Sequence, residues 1–105
     1  MRQADTAFSI WVRARDKKCQ NCGKKERLQC AHLISRSYKT IRCDPDNATT
    51  LCASCHVYYT HRPLEWEDWL ETNHPGQYQK LKTKALTYKR INWKTEAQKW
   101  KTKIK

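Results

Sequence analysis

Two Cys-x-x-Cys pairs, two short β-prone runs between them and helical periodicity on either side predict a small α+β fold. Its zinc-stabilised core of two strands and a helix follows an N-terminal helix and precedes additional C-terminal helices. The chain's 105 residues suit one small domain. With 30% charged residues and a mean hydropathy of −1.03, little apolar material is available for a core. A structural zinc ion offsets that shortage, contributing about 10 kcal/mol or more to folding.

The pairs are Cys19-Gln20-Asn21-Cys22 and Cys52-Ala53-Ser54-Cys55, with 29 residues between them. A two-residue spacer lets a tight turn aim both thiolates at one tetrahedral ion. Gly23 follows the first pair, where a knuckle needs a positive φ. The N-terminus lacks the apolar run of an export signal, so a cytoplasmic location with reduced, metal-binding cysteines is expected over disulfides. Cys30 and Cys43 have no pairing motif and read as free thiols. Cys52 to His56 also fits the haem-attachment pattern, but the other Cys pair and the missing export signal argue against haem. A zinc deaminase needs His-x-Glu and Pro-Cys-x-x-Cys, whereas Ile34 and Leu51 stand at those positions.

Residues 5–15 read as a helix capped by Asp5 or Thr6, with Phe8, Trp11, Val12 and Arg15 on one face. Residues 27–35 suit a short strand and a turn, and 36–46, with Asp44-Pro45-Asp46, an ordered loop. Asn47 to Leu51 suits a second strand, and a helix begins near Cys55 and runs to His61. Leu64 to Thr72 is helical, with Trp66, Trp69 and Leu70 as its apolar side, and Asn73-His74-Pro75-Gly76 breaks the chain. From Gln77 a further helix carries one stripe of Tyr78, Leu81, Ala85, Tyr88 and Asn92, then a shifted one of Trp93, Ala97, Trp100 and Ile104. Its first half is expected to dock, and the part beyond about residue 93 to fray or await a partner. Packing or partner contact outranks base stacking for Trp93 and Trp100.

The charge is unevenly spread. Residues 1–76 carry twelve basic and nine acidic side chains, and residues 77–105 carry ten basic side chains and Glu96. The first segment is read as the zinc-bound core with its N-terminal helix, the second as a basic helical extension, within the same domain or as an arm. A basic field attracts polyanions, which points to nucleic acid. Backbone contacts are expected from Arg36, Lys39, Arg42, Lys80, Lys84, Lys89 and Arg90. No apolar stretch suits a membrane span, so no membrane partner is expected.

His32, Asn47, His56 and His61 stand between and beside the knuckles. If both knuckles grip one zinc, the intervening chain folds back and carries His32 and Asn47 towards the helix bearing His56. Such a cluster suits phosphodiester cleavage. An imidazole acts as general base on water, a divalent metal screens the phosphate, and an amide holds the base or its loop.

On Cys19 to Gly23, Leu28 to His32, Asp46-Asn47-Ala48 and Leu51 to His56, the sequence resembles the HNH endonuclease family, the ββα-metal nucleases. It is most similar to small phage- or prophage-type members. The resemblance, over roughly residues 17–75, implies a DNA endonuclease. His32 would be the general base, and Asn47 would position its loop or join the metal shell. His56 would ligate catalytic Mg²⁺ or another divalent ion, Cys19, Cys22, Cys52 and Cys55 would hold structural zinc, and Arg36 would contact phosphate. DNA is the implied partner, with a homodimer or a phage packaging or recombination partner in view. One departure stands out: Ala31 occupies the place where many members carry a metal-binding Asp or His. His61 is the first substitute candidate and Asp46 the second. The rival reading is a non-catalytic zinc-ribbon module that only binds nucleic acid, and a branched-DNA resolvase is a third.

Overall fold

The computed structural model describes residues 1–87 and 89–104. Its elements run α1 (Arg2–Asp16), β1 (Leu28–His32), β2 (Ala48–Cys52), α2 (Ala53–Thr60), α3 (Pro63–Asn73), α4 (Gln77–Leu86) and α5 (Trp93–Lys103), with 3-10 turns at Lys39–Ile41 and Pro45–Asn47. β1 and β2 pair antiparallel, from Leu28 opposite Cys52 to His32 opposite Ala48. This is the α+β arrangement the sequence predicts, a two-stranded sheet carrying a cysteine cluster among helices.

Three small cores replace one large one. Phe8 and Val12 of α1 pack with Ala97 and Trp100 of α5. Leu33, Ile34 and Ile41 of the long β1–β2 connection pack with Leu70 of α3 and Leu81 of α4. Cys19, Ala31, Leu51 and Cys52 form the third, where the hairpin meets the knuckles. Every residue of β2 is buried, and α1 partners its outer edge. Arg15 donates to the Pro45 and Ala48 carbonyls at 2.9 and 2.8 Å, and Asp16 accepts from Thr50 N at 3.0 Å. These bonds satisfy backbone groups that a two-stranded sheet would leave open.

Several boundaries differ from the sequence reading. Helix α1 starts at Arg2, and neither Asp5 nor Thr6 caps it; the Asp5 carboxylate turns to Arg42 instead. β1 ends at His32, because Leu33 and Ile34 turn away to bond with Asn47. Helix α2 begins inside the second knuckle, with Cys52 at its N-cap. The C-terminal helix is two helices. Asn92 caps α5, its Oδ1 accepting from Lys94 N and Thr95 N at 3.1 Å, so the shift between the two stripes marks a new helix start. Tyr88, placed in the first stripe, lies outside the described residues.

The part beyond residue 93 is docked rather than frayed. Trp100 is 1% exposed, with its ring 4.9 Å from Phe8 and 4.8 Å from Trp11, and Trp93 packs at the margin of the same core. Phe8 in turn lies 6.1 Å from the His32 ring. Trp100→Ala is therefore expected to cost about 3–5 kcal/mol, read as a lower denaturation midpoint and earlier proteolysis of α5. A loss under about 1 kcal/mol would contradict this packing.

Candidate metal centre and imidazole cleft

The four paired cysteines converge. The sulfurs of Cys19, Cys22, Cys52 and Cys55 all lie within 4.8 Å of one another. Four thiolates on a tetrahedral zinc with 2.3 Å bonds sit about 3.8 Å apart, and Cys22 Sγ lies 3.7 Å from Cys52 Sγ. The donor set and spacing therefore fit structural zinc. Backbone geometry builds the first knuckle: Gly23 adopts φ 81° and donates to the Cys19 carbonyl at 2.9 Å. Gln20 N donates to Thr50 O and Ala53 N to Arg27 O, tying the knuckles to the strands.

The sulfurs also receive side-chain donors. Asn21 Nδ2 donates to Cys55 Sγ at 3.3 Å, and Ser54 Oγ lies 3.3 Å from Cys52 Sγ. Asn21 Oδ1 accepts from Tyr59 OH at 3.2 Å and from Trp69 Nε1 at 3.1 Å. Asn21 thus joins the metal centre to α2 and α3, a role its place inside a knuckle does not announce. Cys30 and Cys43 stand apart as thiols, pushed by burial to about 11 and about 12; both remain protonated and unreactive near neutral pH.

Beside this centre is a cleft of about 600 Å³, lined by Asp5, Phe8, Ser9, Gln29, Cys30, His32, Ser35, Arg36, His56 and Thr60. The hairpin brings His32 from the end of β1 and α2 brings His56. A second cavity of about 210 Å³ also touches both imidazoles, with Ala31, Leu51 and Trp66 among its walls. Ala31, a core residue, shares this second cavity with both histidines but does not line the larger cleft.

Hydrogen bonds fix both imidazoles. His32 Nε2 lies 2.8 Å from the Arg42 carbonyl oxygen. A carbonyl only accepts, so Nε2 carries the proton and Nδ1 keeps a lone pair. His56 Nδ1 lies 2.7 Å from Gln29 Oε1, so Nδ1 donates and Nε2 keeps its lone pair. Burial lowers both histidines below the ordinary value of 6.5; for His32 the Arg42 carbonyl opposes this and Arg36 reinforces it. Both are neutral at pH 7, the form in which imidazole is a base or a metal ligand. Gln29 has no signal in the sequence; only the pleat brings it opposite α2.

Asn47 is 0% exposed and does not line the cleft. Its Oδ1 accepts from Ile34 N at 2.8 Å, and its Nδ2 donates to Ile34 O and Ile41 O at 3.0 and 3.1 Å. The amide braces the connection that follows His32. All three bonds go to the main chain of that connection.

Neither substitute for the missing ligand reaches the cleft. His61 follows the last residue of α2 and is exposed; five residues from His56 it is turned about 140° round the helix axis. Asp46 lies in the 3-10 turn before β2, also exposed. Among the described residues, the four cysteines are the one group of three or more His, Cys, Asp or Glu ligands close enough to share an ion.

The basic residues separate in the same way. Arg36 lines the cleft. Lys39 and Lys89 line a neighbouring cavity with Lys99. Lys80 and Arg90 are exposed. Lys84 pairs with Asp44 at 3.2 Å. Arg42, expected on the DNA backbone, is held in a two-point pair with Asp5, at 2.7 and 2.5 Å.

No curated protein and no solved structure matches the chain. Residues 19–62 match the family model described as HNH endonuclease. That span starts at the first knuckle cysteine and takes in both knuckles, the hairpin, both cleft histidines and α2; α1, α4 and α5 lie outside it. Segment 19–62, whose four cysteines gather where one metal ion could be held, is thus similar to HNH endonucleases.

Proposed function

We propose that this protein is a metal-dependent DNA endonuclease. The observation that carries the reading is the pair of neutral imidazoles in one cleft, each with one nitrogen held by a carbonyl acceptor and the other bearing a lone pair. His32 Nδ1 takes a proton from water as the water oxygen attacks phosphorus, and the P–O3′ bond breaks. His56 Nε2, its ring oriented by Gln29, would hold a divalent ion. Such an ion, Mg²⁺ or similar, would neutralise the phosphate and stabilise the departing oxygen. Asn47 sets the loop behind the base. Arg36 meets a phosphate at the cleft mouth, and Lys39, Lys80, Lys89 and Arg90 hold the backbone further away, without reading sequence. Cutting both strands would call for a second copy.

One observation favours a second reading, a zinc-ribbon module that binds nucleic acid without cutting it. Ala31 supplies no ligand, and among the described residues no group of three or more His, Cys, Asp or Glu ligands includes His56. Incubation with supercoiled plasmid in Mg²⁺ or Mn²⁺ separates the two. The endonuclease converts plasmid to nicked circles, whereas the module retards it intact. Branched substrates in the same assay separate a resolvase from a duplex nuclease.

The state of His32 sets the pH dependence. Its neutral form is the base, and its folded pKa lies below 6.5. Activity is therefore full at pH 7 and falls as pH drops through that lowered value. A kcat/KM profile, with zinc content checked at each pH, is expected to bend below pH 6.5. A limb centred above pH 7 would contradict the assignment.

A further inference from the structure

The family match begins at Cys19, yet helix α1, before it, contributes Asp5, Phe8 and Ser9 to the cleft. Asp5 and Arg42 form a two-point pair, with Arg42 Nε on Oδ1 at 2.7 Å and Nη2 on Oδ2 at 2.5 Å. The same residue's carbonyl accepts from His32 Nε2 at 2.8 Å, and its Nη1 donates to the Arg36 carbonyl at 3.3 Å. One arginine therefore fixes the cleft histidine and the cleft arginine through its main chain and its guanidinium. What fixes that arginine is a carboxylate on another helix.

We propose that Asp5 is a positioning residue for His32, acting through Arg42. It is not a metal ligand: both its oxygens accept from the guanidinium, which repels a cation. The geometry makes α1 a part of the site, which holds the Arg42 carbonyl where it selects the Nε2–H tautomer and leaves Nδ1 with its lone pair. A fork-shaped guanidinium between two elements transmits position in a way that a lysine ammonium does not.

The catalytic part of this inference rests on the endonuclease reading; the tautomer part does not, and the test keeps them apart. Asp5→Asn and Arg42→Lys would be prepared as zinc-loaded full chains, with folding checked by circular dichroism. Ring-nitrogen NMR of His32 is expected to show the Nε2–H tautomer in the parent and a mixture of tautomers in both variants. In plasmid nicking, kcat is expected to drop about 10- to 100-fold, as for other outer partners of a catalytic imidazole, while KM for DNA and the Mg²⁺ dependence stay within twofold. Glu67→Gln, on the exposed face of α3, serves as the unchanged control. An unaltered His32 spectrum in well-folded variants would overturn the proposal, and so would a large shift in Mg²⁺ dependence, which would make Asp5 a ligand. If the parent does not cut DNA but the tautomer shifts as described, Asp5 still positions His32, and the endonuclease reading is what fails.

Discussion

Stripping zinc with a strong chelator is expected to melt the segment 19–62. Two of the four paired cysteines, Cys19 and Cys52, are themselves members of the core that joins knuckles and hairpin, so that core depends on the metal. Structural zinc binding contributes about 10 kcal/mol or more, which is comparable with the whole net stability of about 5–15 kcal/mol of an ordinary domain. The loss should be visible in tryptophan emission, because Asn21 bonds both Cys55 Sγ and Trp69 Nε1. The expected result is loss of the cooperative thermal transition with a red-shifted emission, reversed by added Zn²⁺. Cys52→Ser should reproduce it without chelator. A zinc-free protein that melts as the loaded one does would show that the sulfurs are not a structural pin.

His32→Ala is expected to reduce plasmid nicking about 100- to 10,000-fold, the range contributed by a positioned general base. The substitution removes the Nδ1 lone pair and the bond to the Arg42 carbonyl. It leaves all four zinc ligands in place. It also leaves Arg36 and the lysines of residues 77–105, so zinc content and DNA affinity should stay close to those of the parent. A histidine that merely filled space beside Phe8 would alter stability and cutting together. The assignment requires that cutting fall while binding and zinc content hold.

The sequence made the metal centre legible, because a Cys-x-x-Cys spacer leaves little freedom in where two sulfurs point. Once one ion joins the two knuckles, chain closure brings His32 and His56 towards each other, and both line one cleft from which Asn47 is absent. Asn47 stood out as a residue, but its main-chain partners at Ile34 and Ile41 are set by the fold of the β1–β2 connection. Gln29 and Asp5 carried no signal, since what recruits them is tertiary: the pairing of β1 with β2, and the packing of α1 across the sheet. The same cause explains the C-terminal segment. A stripe of Trp93, Ala97, Trp100 and Ile104 shows that a face is apolar without showing what covers it, and the cover is Phe8 and Trp11. The Asn92 cap was readable from local rules; a continuous 3–4 spacing masked it. His61, five residues after His56, does not share its helical face and is absent from the cleft lining.

The most direct test follows supercoiled plasmid on a gel, with zinc-loaded parent and His32→Ala side by side in Mg²⁺ at pH 7.5 and at equal DNA occupancy. The account predicts nicked circles from the parent and intact plasmid from the variant. Equal nicking by both proteins, or no nicking by a parent that has bound the DNA, would contradict it.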